Sequence, residues 1–453
     1  MTSKYKPCPR YKDSEIKWIG KIPEGWEVHK LKYLLSTLES GSRETGGGNQ
    51  LDEGIFSLGG EHINWDGTLN LENPKLISEE YYNSMNQGKL KINDILLVKD
   101  GATIGKTAIL FKKEFEKMAV NEHVFLMRSN KRINPKLLYY SICGDSGFKQ
   151  IKLTEVGSAQ GGINQDFIAK IYFSVPRDKQ EQTTIANFLD KKTARIDILI
   201  EKDKILIELL KENRISLINH AVTKGLDPNA KLKDSGIDWI GKIPEGWEVK
   251  KLKFVSEAYI SNVDKKIYPN EHDVLLCNYI DVYKNECITS NLEFMKATAN
   301  IAQIKKLSIN KNDVIITKDS ETIEEIAIPA IVTENFQNVV CGYHLAIIRS
   351  HKEKILGKYL FRLFQSKKFS EQFSVKANGV TRYGISTHPI KNIRILLPPK
   401  EEQERIVNYL NKHTIRIDKT IQKIKEKIKL LEEYKKSLIH HTVTGKIDVR
   451  GVC

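Results

Sequence analysis

The sequence predicts a mixed α/β (α+β) protein written twice. Two similar globular domains are joined by two long antiparallel helices forming a coiled coil, with an internal pseudo-two-fold repeat of about 221 residues. Three observations predict this. First, KDSEIKWIGKIPEGWEVHKLK at 12–32 returns at 233–253 as KDSGIDWIGKIPEGWEVKKLK, and only positions 15, 17 and 29 differ, so 18 of 21 residues are identical. Second, residues 181–222 run for 42 positions without Gly or Pro and carry apolar residues at helical spacing. Third, short strand-like runs alternate with turn-rich loops and shorter helical stretches upstream of that run.

The repeat holds along the chain at nearly constant offset. Lys99-Asp100 in ILLVKDGATIG corresponds to Lys318-Asp319 in VIITKDSETIE, and HVFLMRS at 123–129 to HLAIIRS at 344–350. Gly162-Ile163, Ile168, Ile171 and Pro176 correspond to Gly384-Ile385, Ile390, Ile393 and Pro398. Glu181-Gln182, Ile185, Leu189 and Arg195-Ile196-Asp197 correspond to Glu402-Gln403, Ile406, Leu410 and Arg416-Ile417-Asp418. Each half therefore reads as a globular domain followed by one long helix: 1–177 and 226–399 are the domains, 178–225 and 400–453 the helices. Strands are expected over 95–99, 124–128 and 171–175 and a helix over 135–143. Proline at Pro176 and at Pro398-Pro399 separates strand from helix, and Gly225 and Gly445 permit left-handed caps.

On the first long helix the expected seam is Leu189, Ile196, Leu199, Leu206, Leu210 and Leu217, with Asp203 and Asn213 at its polar turns. On the second it is Leu410, Ile417, Ile421, Ile424, Ile428, Leu431 and Leu438. A helix of 42 residues would extend roughly 60 Å at 1.5 Å per residue, too long for one compact core, so the two helices are expected to bury each other.

Between the anchor motifs the halves diverge. Residues 36–90, with the glycine-rich SGSRETGGGNQ, share almost nothing with their counterparts near 257–309. A duplicated frame with diverged surfaces suits recognition of two different things. The net charge of +15 and pI near 9.2 favour a polyanionic partner, nucleic acid first. The six cysteines, Cys8, Cys143, Cys277, Cys287, Cys341 and Cys453, lack metal-site or disulfide-framework spacing and are expected as free thiols in a reducing compartment. No apolar run approaches the roughly 20 residues that span a bilayer. The N-terminus has no signal-peptide core, so a cytoplasmic protein with no membrane partner is expected.

At these residues the chain resembles a known family. WIGKIPEGWEV with KLK in both halves, NDILLVKDGATIGK at 93–106, PRDKQEQTTIANFLDKKTARID at 176–197 and PPKEEQERIVNYLNKHTIRID at 398–418 together resemble the specificity subunit of type I restriction–modification enzymes. The resemblance implies two target recognition domains, each binding half of a bipartite site in double-stranded DNA. It also implies a helix pair that sets the spacing and docks two modification (methyltransferase) subunits, to which two restriction (translocase–nuclease) subunits are added. No cofactor is expected in this chain; S-adenosylmethionine, ATP and Mg belong on the partner subunits. The alternative is a self-contained sequence-specific methyltransferase or nuclease. Against it, no Asn-Pro-Pro-aromatic stretch and no glycine-rich cofactor loop occurs, and no catalytic or metal-binding residue is expected.

DNA contacts are expected from diverged loops: Ser42 and Arg43, then Ser158, Gln160 and Asn164, and in the second half Asn378, Thr381, Arg382 and Tyr383. Arg reads guanine, and Asn or Gln reads adenine, by paired hydrogen bonds in the major groove. Lys99 and Lys318 are expected near the phosphates. DGATIGKT at 100–107 approaches a phosphate-binding loop, but Asp100 stands where the first glycine should be, so a structural turn is expected. Trp18, Trp26, Trp239 and Trp247, present in both halves, are expected to pack the domain rather than stack on bases. The lysine-rich run IKEKIKLLEEYKK at 424–436 is expected to offer a subunit-docking face.

Overall fold

A computed structural model describes residues 5–17, 19–44, 52–112, 115–157 and 161–451. Trp18, Ser158, Gln160, Cys453 and much of the glycine-rich 40–50 stretch lie outside the described residues. The chain divides into two compact units, one of residues 1–203 with 426–453 and one of 204–425. Each unit thus holds the first half of one long helix and the last half of the other.

In the first unit the central sheet has four antiparallel strands in the order Leu35–Ser40, Val124–Ser129, Ile95–Val98, Thr107–Ile109. A three-stranded sheet, Leu76–Ile77, Ile55–Leu58 and Met118–Val120, adds one parallel pairing. The strand pair Trp26–Lys30 and Tyr172–Pro176 leads into the long helix Lys179–Lys224. The second unit repeats this with Ser256–Ile260, Leu345–Ser350, Val314–Thr317 and Pro329–Val332, and a short fifth strand, Cys287–Ile288, pairs parallel at the edge. Met295–Ala299, His272–Cys277 and Val339–Cys341 form its three-stranded sheet, and Glu248–Lys251 with Arg394–Leu397 leads into the helix Lys400–Val443. The central strands are buried along their whole length, which explains why ILLV and VIIT read as continuous apolar runs rather than alternating ones.

The shared motifs are the joints between domain and helix. The buried Trp26 indole donates to Glu181 in the first turn of its helix at 3.0 Å, and Trp247 donates to Glu402 at 2.9 Å. Beside each Glu, a buried Gln ties down three backbone groups. Gln182 accepts from Asn134 N–H and donates to the carbonyls of Arg132 and Pro176. Gln403 accepts from Leu356 N–H and donates to those of Lys354 and Pro398. Replacing Gln403 with alanine leaves one donor and two acceptors unpaired in a buried joint. The expected cost is about 2–4 kcal/mol, read as a lower urea midpoint of the full chain. Trp239, by contrast, is 39% exposed and lies edge-on to Phe369.

A second shared joint holds the central sheet. Asp94, fully buried, takes two hydrogen bonds from Arg128 at 2.7 and 2.6 Å, and Asp313 takes the same pair from Arg349 at 3.0 and 2.7 Å. The bidentate carboxylate raises each guanidinium above its ordinary pKa.

Within each unit the long helices run antiparallel. In the first, Asp197 pairs with Lys435 at 2.7 Å and Asp203 with Lys427 at 2.9 Å, one number rising as the other falls. In the second, Arg214 reaches Asp418 at 3.0 Å, and Ile218 and Ala221 share a core with Ile406 and Leu410. Leu189, Ile196, Leu410, Ile421, Ile424 and Leu438 are buried. Leu210, Leu217, Ile417, Ile428 and Leu431 are half-buried.

Two residues of the expected seam lie off it: Leu199 is 38% and Leu206 42% exposed, while Ile200 and Ile207 beside them are 8% and 7% exposed. One residue turns a helix by about 100°, and the alternating 3-and-4 column that contains Leu189, Ile196, Asp203 and Leu210 is completed by Ile200 and Ile207. Asn213 is likewise exposed, and the half-buried Arg214 occupies the polar turn assigned to it. Gly225 and Gly445 close the two helices at φ +77° and +67°.

Candidate nucleic-acid interface

A matched cluster of charged side chains in each unit sits at the C-terminal end of a central strand. In the second unit that strand, Val314–Thr317, delivers Lys318 and Asp319. The Asp319 carboxylate receives Lys318 Nζ at 2.7 Å and Arg382 Nη2 at 3.4 Å and contacts Nδ1 of His344. Burial holds the His344 imidazole below its ordinary pKa, against the pull of Asp319. With that histidine neutral, Lys318, Arg382 and Asp319 leave a net positive charge.

Over this cluster lies a closed loop. Asn378 and Gly384 exchange two backbone hydrogen bonds of 2.9 Å, and Tyr383–Gly384 pairs with Asp319–Ser320. Gly379 makes the bend possible: its φ is +144°, and a Cβ there would stand 1.9 Å from the Arg382 carbonyl oxygen. Asn378, Val380, Thr381 and Arg382 are exposed at the tip, and Tyr383 is half-buried.

Tyrosines line the same region. The rings of Tyr279 and Tyr283 stack at 5.6 Å, with their hydroxyls tied to Ser320 and Glu325. Tyr343 lies against His344, with Lys318 over its ring. Cations beside open aromatic faces form a surface that can grip phosphate and contact bases.

The first unit repeats the frame with different dressing. Lys99 pairs with Asp100 at 3.1 Å, and His123 Nδ1 lies 3.2 Å from the same carboxylate. His123 also reaches Glu122, which Arg43 engages at 2.8 Å. Where the second unit has Tyr343 this one has Glu122, and Lys99 leans over Phe125 instead. Val156 and Gly162 exchange two 2.9 Å backbone bonds, closing the equivalent loop, and Ile163 N–H donates to the Lys99 carbonyl as Ile385 does to that of Lys318. Ser42 is bonded to Tyr81 at 2.6 Å, and Asn164 spends its side-chain oxygen capping Asp166 N–H. Arg43 and Lys99 thus join one cluster, while Ser42 and Asn164 have structural partners of their own.

Reasoning from residue types singled out the lysines but not Asp100, His123, Asp319 and His344, which hold them, nor Tyr279, Tyr283 and Tyr343. The lysine–aspartate pair and the following histidine were already visible as matched positions in the two halves; the tyrosines have no counterpart and gave no signal. The DGATIGKT loop is a turn between antiparallel strands Ile95–Val98 and Thr107–Ile109, so no helix N-terminus stands ready for a phosphate. Among the described residues no group of His, Cys, Asp and Glu could hold a metal, and no helix is long and apolar enough to cross a membrane.

A duplicated mixed α/β domain with a long helix after each copy carries a matched Lys–Asp–His cluster in each unit, positively charged and tyrosine-lined in the second and charge-balanced in the first. The type I restriction modification DNA specificity domain matches residues 23–210 and again 244–430, and the chain belongs to that family of specificity subunits. It is thus the DNA specificity subunit of a type I restriction–modification system, the component that is not itself catalytic. It is 26% identical over 452 residues to the MjaX specificity subunit of Methanocaldococcus jannaschii, assigned to a type I restriction enzyme, covering 97% of this chain and 98% of that one. The MjaVIII specificity subunit of the same organism is 24% identical, with 98% of each chain covered.

Among solved structures, a chain from a study of complex assembly and conformational transition of the type I R-M system superposes with a TM-score of 0.72 at 13% identity, covering 94% of this chain and 99% of that one. The HsdS subunit from Thermoanaerobacter tengcongensis gives 0.55 at 15% identity, covering 94% and 98%. These two likenesses concern the fold.

Proposed function

We propose that each unit reads one half of a bipartite, asymmetric site in double-stranded DNA, and that the helix pair sets the distance between the halves. The observation that carries this is a constant Lys–Asp–His frame whose adjoining loop segments share almost no sequence. Lys99-Asp100-His123 and Lys318-Asp319-His344 stand at equivalent strand ends with equivalent backbone bonds, while the sequences between the bonded pairs Val156–Gly162 and Asn378–Gly384 read GSAQG and GVTRY. A fixed support under a variable tip is what two readers of different words require. The positive charge of the whole chain supplies the sequence-independent attraction.

The same helices dock two modification subunits, to which two restriction subunits are added. S-adenosylmethionine is held by the modification subunits, and ATP with Mg by the restriction subunits. Incubating the purified chain with labelled S-adenosylmethionine and target DNA is expected to give no transfer until a modification subunit is added. Transfer by the chain alone would favour a self-contained methyltransferase.

Spacing gives a sharper test. Seven residues inserted in each long helix at matched heptad positions add about 10 Å of rise, or about three base pairs. Mapping methylated adenines should show both half-sites unchanged and the gap between them longer. An unchanged gap would rule out the helices as the ruler.

A further inference from the structure

We propose that Val380 is a base-reading residue that meets the 5-methyl group of a thymine in the major groove of the half-site taken by the second unit. This rests on the reading of that unit as a half-site reader and names a contact within it. Val380 is 91% exposed at the tip of the loop closed by Asn378 and Gly384.

A singly exposed valine is ordinary on a protein surface; this one is held out by its surroundings. The two mutual backbone bonds between Asn378 and Gly384 close the loop at its base, and the pairing of Tyr383–Gly384 with Asp319–Ser320 anchors that base to the central strand's end. Gly379 has no alternative at its φ, so the bend that carries Val380 outward is built in.

Apolar exposure recurs at this place in the fold. The helix before the loop ends on Val375, 84% exposed, and the equivalent helix of the first unit ends on Leu153, 86% exposed. The loop sequences have diverged, yet both units leave an aliphatic side chain in water at the loop's foot. Such a cost is understandable where the exposed group is covered on binding.

The flanking charges say what covers it. Lys318, Lys376 and Arg382 lie in or beside the loop, and Asp319 together with Glu325, bonded to Ser320, offsets part but not all of that charge. The fitting occupant is a duplex polyanion. A major groove about 12 Å wide is open to the tip of so short a loop, and the thymine methyl is the apolar group it displays. With Arg382 two residues along the same loop, an aliphatic and a guanidinium probe reach neighbouring base pairs.

The experiment uses the full chain in its assembled complex and a duplex carrying its mapped target. Each thymine of the second half-site is replaced in turn by deoxyuridine, which lacks only the methyl group. One replacement is expected to weaken binding by the wild-type complex about four-fold, the value of one buried methyl. Val380→Ala is expected to weaken binding to the unmodified duplex by a similar factor and to become indifferent to that same replacement. Equal sensitivity of wild type and V380A at every thymine overturns the assignment, as does a second half-site without any A·T pair. Arg382→Ala in the same assay separates the two levels of the argument. If R382A alters affinity or base preference while the deoxyuridine coupling is absent, only the Val380 contact fails; if neither variant changes binding, the half-site reading of this unit fails with it.

Discussion

Replacing Trp247 with alanine is expected to destabilise the second unit by about 3–5 kcal/mol, the cost of emptying a well-packed aromatic site. The side chain is fully buried, and its indole N–H is the partner of Glu402 in the first turn of the helix Lys400–Val443. Truncation therefore opens a cavity and removes a charge-assisted hydrogen bond together. The Trp247→Phe variant separates the two: it keeps most of the apolar area and should cost less, about 1.5–3 kcal/mol for the lost bond to a charged acceptor. Denaturant unfolding of the full chain, followed by hydrogen exchange, should show protection lost within residues 204–425 for W247A. Trp26→Ala should produce the matching loss in residues 5–203, because Trp26 makes the same bond to Glu181. A W247A midpoint equal to that of the unaltered chain would mean that the joint is not where the domain is held.

These joints also explain how much could be read in the sequence and where reading stopped. The motif containing Trp26 and Trp247 recurs almost letter for letter because its task is internal: it packs a fixed strand pair onto a fixed helix start. The Glu-Gln pair at 181–182 and at 402–403 recurs for the same reason, with one side chain for the indole and one for three backbone groups. The helices were legible from periodicity, but their facing was only partly so. At Leu199-Ile200 and Leu206-Ile207 two equally apolar neighbours compete for one position, and hydrophobicity cannot rank them. The choice is made by the partner helix, which accepts the 3-and-4 column through Ile200 and Ile207. The charged cluster proposed to face DNA was legible where it repeats, at Lys99 and Lys318, and not where it does not repeat. Tyr279 and Tyr283 stack one turn apart on the short helix Tyr279–Lys284, but only the fold brings Tyr343 to the same histidine, and no local pattern announces that meeting. Ser42 and Asn164, expected at the DNA, each have a partner inside the domain. A polar residue in a diverged loop has the right chemistry for a base, yet Tyr81 and the Asp166 amide engage them within the domain.

Arg382 carries the largest expected effect on recognition. It is about half exposed, so it pays little to leave the surface, yet the Asp319 carboxylate at 3.4 Å restrains where its guanidinium points. A restrained planar fork is suited to the paired acceptors of guanine, and such a contact discriminates by about 1–3 kcal/mol. Arg382→Ala is therefore expected to weaken binding to the target about 5- to 150-fold and to relax preference at one base pair of the second half-site only. The first half-site should keep its full preference, because Lys99 and the cluster around it belong to the other unit. Arg382→Lys should not restore discrimination, since an ammonium cannot form the bidentate pair, although it should restore any part of the affinity that is merely Coulombic. Lys318→Ala provides the contrast. If its target is phosphate, binding falls nearly uniformly across sequences, and the slope of log K against log salt becomes shallower by about one. Titrating each complex against a set of single-base variants at two salt concentrations separates these outcomes. A uniform loss for R382A, with base preference intact, would move Arg382 from the bases to the backbone and leave the reading of this half-site to Val380 and Thr381 beside it.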